Sequence, residues 1–207
     1  MNRREFFKTG FQKVSKTLVE AADEHVKQKA LHWIRPPYAL NELEFLLACT
    51  RCDKCIEACP HDVIFPLPAR RGARVTGTPA MNLLNKGCHL CEDWPCVTAC
   101  EPGALKRPEA DAVTEQIPLP QIALAAVNTQ TCLPYHGPEC GACASSCPVP
   151  NTLLWKEEKP YINTSTCTGC GLCREACIVE PKAINIKSIH YQTSRQSTNT
   201  STLSSAE

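Results

Sequence analysis

Cysteine is the residue that most constrains what this chain can fold into. The 207 residues include sixteen cysteines, and they fall into four groups of four. The groups, in chain order motifs one to four, are Cys49, Cys52, Cys55 and Cys59; Cys88, Cys91, Cys96 and Cys100; Cys132, Cys140, Cys143 and Cys147; and Cys167, Cys170, Cys173 and Cys177. Four equal groups with no cysteine left over indicate four sites that each need four thiols.

The spacing within the motifs points to iron and sulfur. Motifs one and four follow C-x2-C-x2-C-x3-C, the run that binds [4Fe–4S] clusters in bacterial ferredoxins. A cubane cluster needs one thiolate at each of its four irons. In two-cluster ferredoxins the fourth cysteine of a run binds the other cluster. The sequence therefore predicts four [4Fe–4S] clusters, with all sixteen cysteines as cofactor-binding residues and iron ligands.

Two other uses of cysteine fit the pattern less well. A disulfide scaffold is typical of a small secreted domain, and zinc sites usually pair two separated C-x2-C units. Motifs two and three carry longer inserts, which contain Trp94 and Tyr135, and we interpret both aromatic residues as packing residues. The histidines beside the motifs are expected to adjust potential or packing rather than to bind metal. They are His61, His89 and His136.

The number of cysteines also argues against an enzyme. All sixteen thiols are needed for sixteen iron corners, so no iron stays open for a substrate, and no phosphate- or dinucleotide-binding fingerprint is present. A net charge of +1 does not indicate nucleic acid as a partner. A basic group at Arg70, Arg71 and Arg74 is either a solvated loop or a guide for an acidic partner. We predict an electron carrier with a redox protein as partner.

Short apolar segments flank the motifs and predict an α+β fold. They lie at 63–65, 103–105, 122–127, 160–163 and 183–186. Strands this short cannot bury a core alone, so the motif-bearing units should pair. We expect tandem ferredoxin-like 2[4Fe–4S] modules built from short strands and helical turns. The spacing leaves open whether neighbouring motifs pair, or whether motif one pairs with four and two with three.

The chain divides into three regions, at 1–34, 35–190 and 191–207. The first predicts an amphipathic N-terminal helix, the second holds the four motifs, and the polar third predicts a disordered tail. Residues 2–8 look like a twin-arginine export signal, but charged residues follow where an apolar region is required. The sequence therefore favours the cytoplasm, with the periplasm as the alternative if that start is functional. It predicts no membrane span, and peripheral membrane contact stays open.

Several segments resemble a known family. RPP at 35–37, EFL at 44–46 and CTRCDKCIEACP at 49–60 resemble the NapF-type ferredoxins of periplasmic nitrate reductase systems. CHLCEDWPCVTAC at 88–100, AAV at 125–127 and CTGCGLCREAC at 167–177 are similar to the four-cluster NapG and MauM type. The resemblance covers roughly residues 35 to 190 and all sixteen cysteines.

The resemblance implies electron transfer to or from a redox enzyme, with the catalytic subunit of a molybdenum-containing, nitrate-reductase-like enzyme as an expected partner. The alternative role that it implies is a cytoplasmic maturation or assembly factor for such a reductase. It also favours the nested pairing of motif one with four and two with three. Glu101 and Ile178 stand where the simple run has proline after its fourth cysteine, which changes the turn there.

Overall fold

A computed structural model describes Val26, residues 29–110 and residues 117–190. Most of the helix expected over 1–34 lies outside the described residues, as does the tail expected over 191–207. Residues 29–30 are helical, and the chain leaves the helix in a turn at 31–32. In the part of the chain that the structure describes, no helix has the length and apolar character to cross a membrane.

The regular elements are short and mixed, as an α+β fold requires. The helices are α1 (Glu42–Ala48), α2 (Lys54–Glu57), α3 (Pro95–Thr98) and α4 (Leu172–Glu175). The strands are β1 (Ile64–Pro66), β2 (Pro79–Met81), β3 (Ala123–Val127), β4 (Leu153–Lys156), β5 (Lys159–Ile162) and β6 (Ile184–Ser188). Single 3-10 turns lie at Ala69–Arg71 and Leu133–Tyr135.

The strands form three two-stranded antiparallel sheets, β1–β2, β3–β6 and β4–β5. In the second half, β3 leads into motif three and β6 leaves motif four, with Ala123 opposite Ser188 and Val127 opposite Ile184. In the first half, the residues before motif one meet those after motif two in a single bridge between Ala39 and Leu105. Residues 103–105, expected to be a strand, therefore form only this bridge.

The inner sheets repeat the same plan. Strands β1 and β2 connect motif one to motif two, and β4 and β5 connect motif three to motif four. The turn between β4 and β5 contains Glu157 and Glu158, both with positive φ, as a tight hairpin turn of two residues requires. Each half of the chain thus encloses two neighbouring motifs between an outer and an inner strand pair.

The apolar core is thin and includes the cysteines themselves. Its buried members come from both halves and surround four buried thiols. They are Phe45, Val63, Ile64, Met81, Leu83, Trp94, Val97, Ala104, Leu105, Ile122 and Ala123, with Cys55, Cys88, Cys96 and Cys170. A smaller cluster of Ala30, Trp33, Leu67, Val75 and Ala80 lies beside it. An apolar core of this size stabilises a fold only weakly. The fold therefore needs additional internal links, such as the bound metals of small metal-binding domains.

A buried ion pair anchors the segment before motif one. Glu42 is 1% exposed and accepts hydrogen bonds from Arg35 Nε at 2.9 Å and Trp33 Nε1 at 3.2 Å. The Arg35 guanidinium also donates to the hydroxyl of Thr78 and to the carbonyl of Pro79, at 2.9 and 2.7 Å. The pair therefore holds α1 against the start of β2.

We expect Glu42→Gln to lower the thermal unfolding midpoint of the protein by about 6–12 °C. The substitution leaves the buried Arg35 cation without its counter-charge, which costs about 3 kcal/mol, and about 1 kcal/mol shifts the midpoint of a chain this size by 2–4 °C. Glu101→Gln is the matched control, because the Lys54–Glu101 pair has side chains 47% and 76% exposed. It should shift the midpoint by less than half as much, and equal shifts would contradict the account.

Candidate cluster-binding sites

Three of the four motifs share one local geometry. A residue in the left-handed conformation precedes each short helix, namely Asp53 before α2, Trp94 before α3 and Gly171 before α4. The third cysteine of the motif is the second residue of the helix, and the fourth follows two residues after the helix ends. These third and fourth cysteines are Cys55 and Cys59, Cys96 and Cys100, and Cys173 and Cys177.

Motif three departs from this geometry. Residues 142–145 form a turn and not a helix, held by hydrogen bonds from Ala144 N to the carbonyl of Gly141 and from Ser146 N to that of Cys143. The helical turn expected in every unit is therefore absent here. The seven residues between Cys132 and Cys140 contain the 3-10 turn at Leu133–Tyr135, where the Tyr135 hydroxyl donates to the carbonyl of Pro160 at 2.9 Å.

The folded chain brings the sixteen cysteines into four groups that mix neighbouring motifs. Each group takes three cysteines from one motif and the fourth from its neighbour. Site A has Cys49, Cys52, Cys55 and Cys100; site B has Cys59, Cys88, Cys91 and Cys96; site C has Cys147, Cys167, Cys170 and Cys173; and site D has Cys132, Cys140, Cys143 and Cys177. In sites A, B and C the four cysteines line one small cavity.

This grouping overturns the nested pairing that the resemblance favoured. Motif one exchanges its last cysteine with motif two, and motif three exchanges its last with motif four. The outer contacts of each half explain the result, because the Ala39–Leu105 bridge and the β3–β6 sheet each close around two consecutive motifs. The alternative that the spacing left open, pairing of neighbours, is the one that the structure has.

Burial strongly disfavours the thiolate form of these cysteines in the absence of a cation. Removal from water, aided by the neighbouring thiolates, raises the pKa of Cys55, Cys96 and Cys173 to about 12. The pKa of Cys88 is also raised to about 12, and that of Cys143 to about 11, chiefly by burial. A bound metal deprotonates a thiol outright, so groups of four such thiols suit the positive charge of iron.

Backbone donors face several of the sulfurs. Leu105 N donates to Cys100 Sγ at 3.3 Å, and Ala183 N donates to Cys177 Sγ at 3.4 Å, which are equivalent positions in the two halves. In the motif four loop, Gly169 N donates to Cys167 Sγ at 3.4 Å. Hydrogen bonds of this kind stabilise thiolates and tune the reduction potential of a cluster. The donor set therefore fits a [4Fe–4S] group chemically as well as in number.

The two halves meet at sites B and C. Cys88 N donates to the carbonyl of Cys170 at 2.7 Å, which joins a cysteine of site B directly to one of site C. Gly87 makes this approach possible, because a Cβ there would lie 2.8 Å from the backbone nitrogen of Leu172. Arg174 Nε donates to the carbonyl of Leu84 at 2.8 Å across the same contact. The sites thus follow one another in the order A, B, C, D.

The aromatic and histidine residues singled out in the sequence lie around site B and motif three. Trp94 is buried and packs edge-to-face on Tyr38 with 4.9 Å between the ring centroids. His61 and His89 stack in parallel with their centroids 3.6 Å apart, at the wall of site B. His136 ends the 3-10 turn of motif three. None of these side chains belongs to the four groups of thiols.

Sequence reasoning missed the residues that hold the motifs against one another. The sequence patterns assign no role to Glu42, Gly87 or Arg174, and Arg35 enters only as part of the RPP segment that resembles the NapF type. The one available hint was Gly87 directly before Cys88, since a close approach of two backbones commonly uses glycine.

Comparison with known proteins places the chain in a family. The model of the 4Fe-4S binding domain matches residues 47–65 and 160–181. The chain is 34% identical to ferredoxin-type protein NapG of Escherichia coli over 74% of this chain and 69% of that protein. It is 32% identical to methylamine utilization ferredoxin-type protein MauM of Methylophilus methylotrophus, over 89% of this chain and 85% of that protein. The chain belongs to the NapG and MauM family of ferredoxin-type proteins.

The family is an iron–sulfur family of the 4Fe-4S ferredoxin type, as the sequence predicted. A NapG of Haemophilus influenzae is 34% identical over 74% of this chain, which spans 58% of that protein's length. Ferredoxin-type protein NapF of Escherichia coli also matches, at 33% identity over 79% of this chain and 90% of that protein. No solved structure matches the chain.

We expect pairs of cysteine substitutions to reveal which motifs share a cluster. Cys59→Ser with Cys88→Ser affects only site B, so the protein should lose about four irons, the content of one cubane. Cys59→Ser with Cys170→Ser affects sites B and C, and the loss should be about eight. Iron analysis of anaerobically purified protein checks both values. Nested pairing would reverse the order of the two losses, because Cys59 would then share a cluster with Cys170.

We expect Gly169→Ala to empty site C. Gly169 has a φ of +72°, and a Cβ there would lie 2.0 Å from the carbonyl oxygen of Ala123 in β3, so the loop between Cys167 and Cys170 must move. Gly141→Ala is the matched control in motif three, where a Cβ meets nothing within 4 Å. Iron analysis should show a loss of about four irons in the first variant and none in the second. Equal iron contents would contradict the close packing of this loop.

Proposed function

We propose that this chain is an electron carrier with four [4Fe–4S] clusters, one in each of sites A to D, and that all sixteen cysteines ligate them. The two halves would then be tandem ferredoxin-like modules within the region 35–190. The observation that carries the proposal is the serial arrangement of the four groups of thiols. When bound, the clusters supply one-electron acceptors and donors.

The contacts between the sites support transfer along the series. Within the first half, α2 carries Cys55 of site A and is followed by Cys59 of site B. Between the halves, the hydrogen bond from Cys88 to Cys170 joins site B to site C. Within the second half, α4 carries Cys173 of site C and is followed by Cys177 of site D. Electron tunnelling rates fall steeply with distance, so such adjacency favours rapid exchange.

The residues around the clusters would protect and tune them. Burial in the thin core excludes water from the thiols, and backbone N–H donors to the sulfurs stabilise the more negative, reduced state. All four thiols of each group serve as ligands, so no position is left for a substrate. The chain thus acts as a carrier and not as an enzyme in its own right.

The family names support a redox system as the setting. NapG and MauM are ferredoxin-type proteins, and MauM is named for methylamine utilization. We propose a redox enzyme as partner, with the catalytic subunit of a molybdenum-containing, nitrate-reductase-like enzyme as the first candidate to test. The alternative of an assembly factor depends on residues 1–34, most of which lie outside the described residues, and no contact in the structure favours it.

We expect the oxidised protein to take up about four electrons per chain in an anaerobic coulometric titration, one for each cubane, and to return them on reoxidation. Cys91→Ser should reduce the uptake to about three, because it removes one ligand of site B alone. The control Ser145→Ala, a side chain in motif three outside the four groups, should keep the full uptake. An uptake of fewer than two electrons per chain, or loss of the clusters after one cycle of reduction and reoxidation, would contradict the carrier function.

A further inference from the structure

An apolar groove with a volume of about 550 Å³ is lined by both halves of the chain. Phe65, Met81 and Leu84 line it from the first half, and Ile186 and Ser188 line it from the second. Phe65 and Leu84 are large apolar side chains, yet they are 37% and 58% exposed. Exposed apolar surface that is concentrated in one groove marks a binding site.

The floor of the groove is continuous with the smaller apolar cluster. Trp33 and Leu67 belong to both, and they are 6% and 3% exposed. Ala30 belongs to the same cluster and is fully buried. Its carbonyl accepts a hydrogen bond from the Ser188 hydroxyl at 2.9 Å. The entering chain is therefore held at the edge of the groove by contacts with both halves.

The end of the entering helix is amphipathic. Val26, Lys29 and Ala30 are all helical, and of these Ala30 is buried, Val26 is half-buried and Lys29 is exposed. Val26 and Ala30 are four residues apart, so they lie on the same side of the helix. That side faces the cluster of Trp33 and Leu67 at Ala30, next to the groove.

The amino-acid sequence continues this apolar side upstream, in residues that lie outside the described part of the chain. Large or small apolar residues recur there every three or four positions, as one side of a helix requires. They are Phe7, Phe11, Val14, Leu18 and Ala22, and Val26 continues the series. The positions on the opposite side of such a helix hold polar or charged residues, namely Thr9, Lys13, Lys16, Glu20 and Asp23.

We propose that the apolar groove binds residues 6–25 of the same chain, through the side that carries Phe11, Val14 and Leu18. The bound segment covers Phe65 and Leu84 and contacts both halves. It joins the halves in addition to the hydrogen bonds of Cys88 with Cys170 and of Arg174 with Leu84. Such binding needs no cluster, so it is independent of the proposed function.

The position of the segment favours it over a separate partner. Residue 25 is only five positions before Ala30, which lies at the edge of the groove, so the segment is tethered where it binds. A short tether gives an effective concentration in about the millimolar range. The polar tail at 191–207 could not replace it, because Tyr191 and Leu203 are its only large apolar residues.

Hydrogen exchange of the full chain, followed by mass spectrometry, tests the proposal from the side of the groove. Leu84→Asp places a charge in the groove at a largely exposed side chain, which the fold should tolerate. Leu47→Asp is the matched control, because Leu47 lies on α1 outside the groove and is 80% exposed. Unchanged exchange of the β3 and β6 amides shows that the rest of each variant is folded.

We expect the amides of residues 7–25 in the wild type to exchange at least about tenfold more slowly than those of the free peptide 1–28, because an isolated helix of this length is marginal in water. Leu84→Asp should remove this protection, and Leu47→Asp should leave it unchanged.

A second pair of variants tests the proposal from the side of the segment. Phe11→Asp with Leu18→Asp places charges on the apolar side and should remove the protection of residues 7–25. Thr9→Asp with Gln12→Asp is the matched control, because it adds the same charge at positions off the apolar side, and it should keep the protection.

An unprotected segment in the wild type would overturn the proposal. Equal protection in Leu84→Asp and Leu47→Asp would overturn it as well, because the segment would then bind elsewhere. Protection that rises with protein concentration would assign the groove to a second copy of the chain instead. Arg70 and Arg71 are exposed and also line the groove, so protection that appears only with phosphatidylglycerol vesicles would assign the segment to an anionic lipid surface and refute binding in the groove.

Discussion

The exchange of a single cysteine between neighbouring motifs is the constraint on which the structure depends. Cys100 returns to complete site A, while Cys59 goes forward to complete site B, and the second half repeats the exchange with Cys147 and Cys177. No site is complete within one motif, so each half must close before any site has four thiols. The three sheets, with strands of only three to five residues, and the Ala39–Leu105 bridge provide that closure.

The clusters would in turn supply much of the stability that the apolar core lacks. The buried thiols have pKa values raised to about 12 at Cys55, Cys88, Cys96 and Cys173, so grouping them as thiolates without iron is unfavourable. Metal binding to such ligands releases protons and couples directly to folding. Hydrogen-bonded anchors such as the Arg35–Glu42 pair then orient the segments that connect one site to the next.

Much of the fold and of the site could be predicted from the sequence, because cysteine spacing and short apolar runs are local signals. Strands β1, β3, β5 and β6 lie where the segments 63–65, 122–127, 160–163 and 183–186 predicted them. The pairing of motifs could not be predicted, since it depends on contacts between distant residues such as Ala39 and Leu105, and the resemblance pointed to the wrong arrangement. The missing helix of motif three and the close approach at Gly87 likewise arise from tertiary packing.

The order of the sites gives the molecule two different ends. Site A contains the exposed Cys52 and lies in the first half, whereas site D lies in the second half, where Cys132 and Cys140 flank the 3-10 turn at Leu133–Tyr135. Sites B and C meet in the middle, where Cys88 and Cys170 are both buried. Such an arrangement suits a carrier that receives electrons at one end and delivers them at the other.

The central claim is that all four groups of thiols hold cubanes. Iron and acid-labile sulfide analysis of the anaerobically purified wild-type protein, together with a Mössbauer spectrum, tests it most directly. About sixteen irons and sixteen sulfides per chain, with every iron in a cubane signal, is the result expected for four [4Fe–4S] clusters. About eight of each, with two sites empty or filled with zinc, would contradict the claim and would reduce the chain to a single working module.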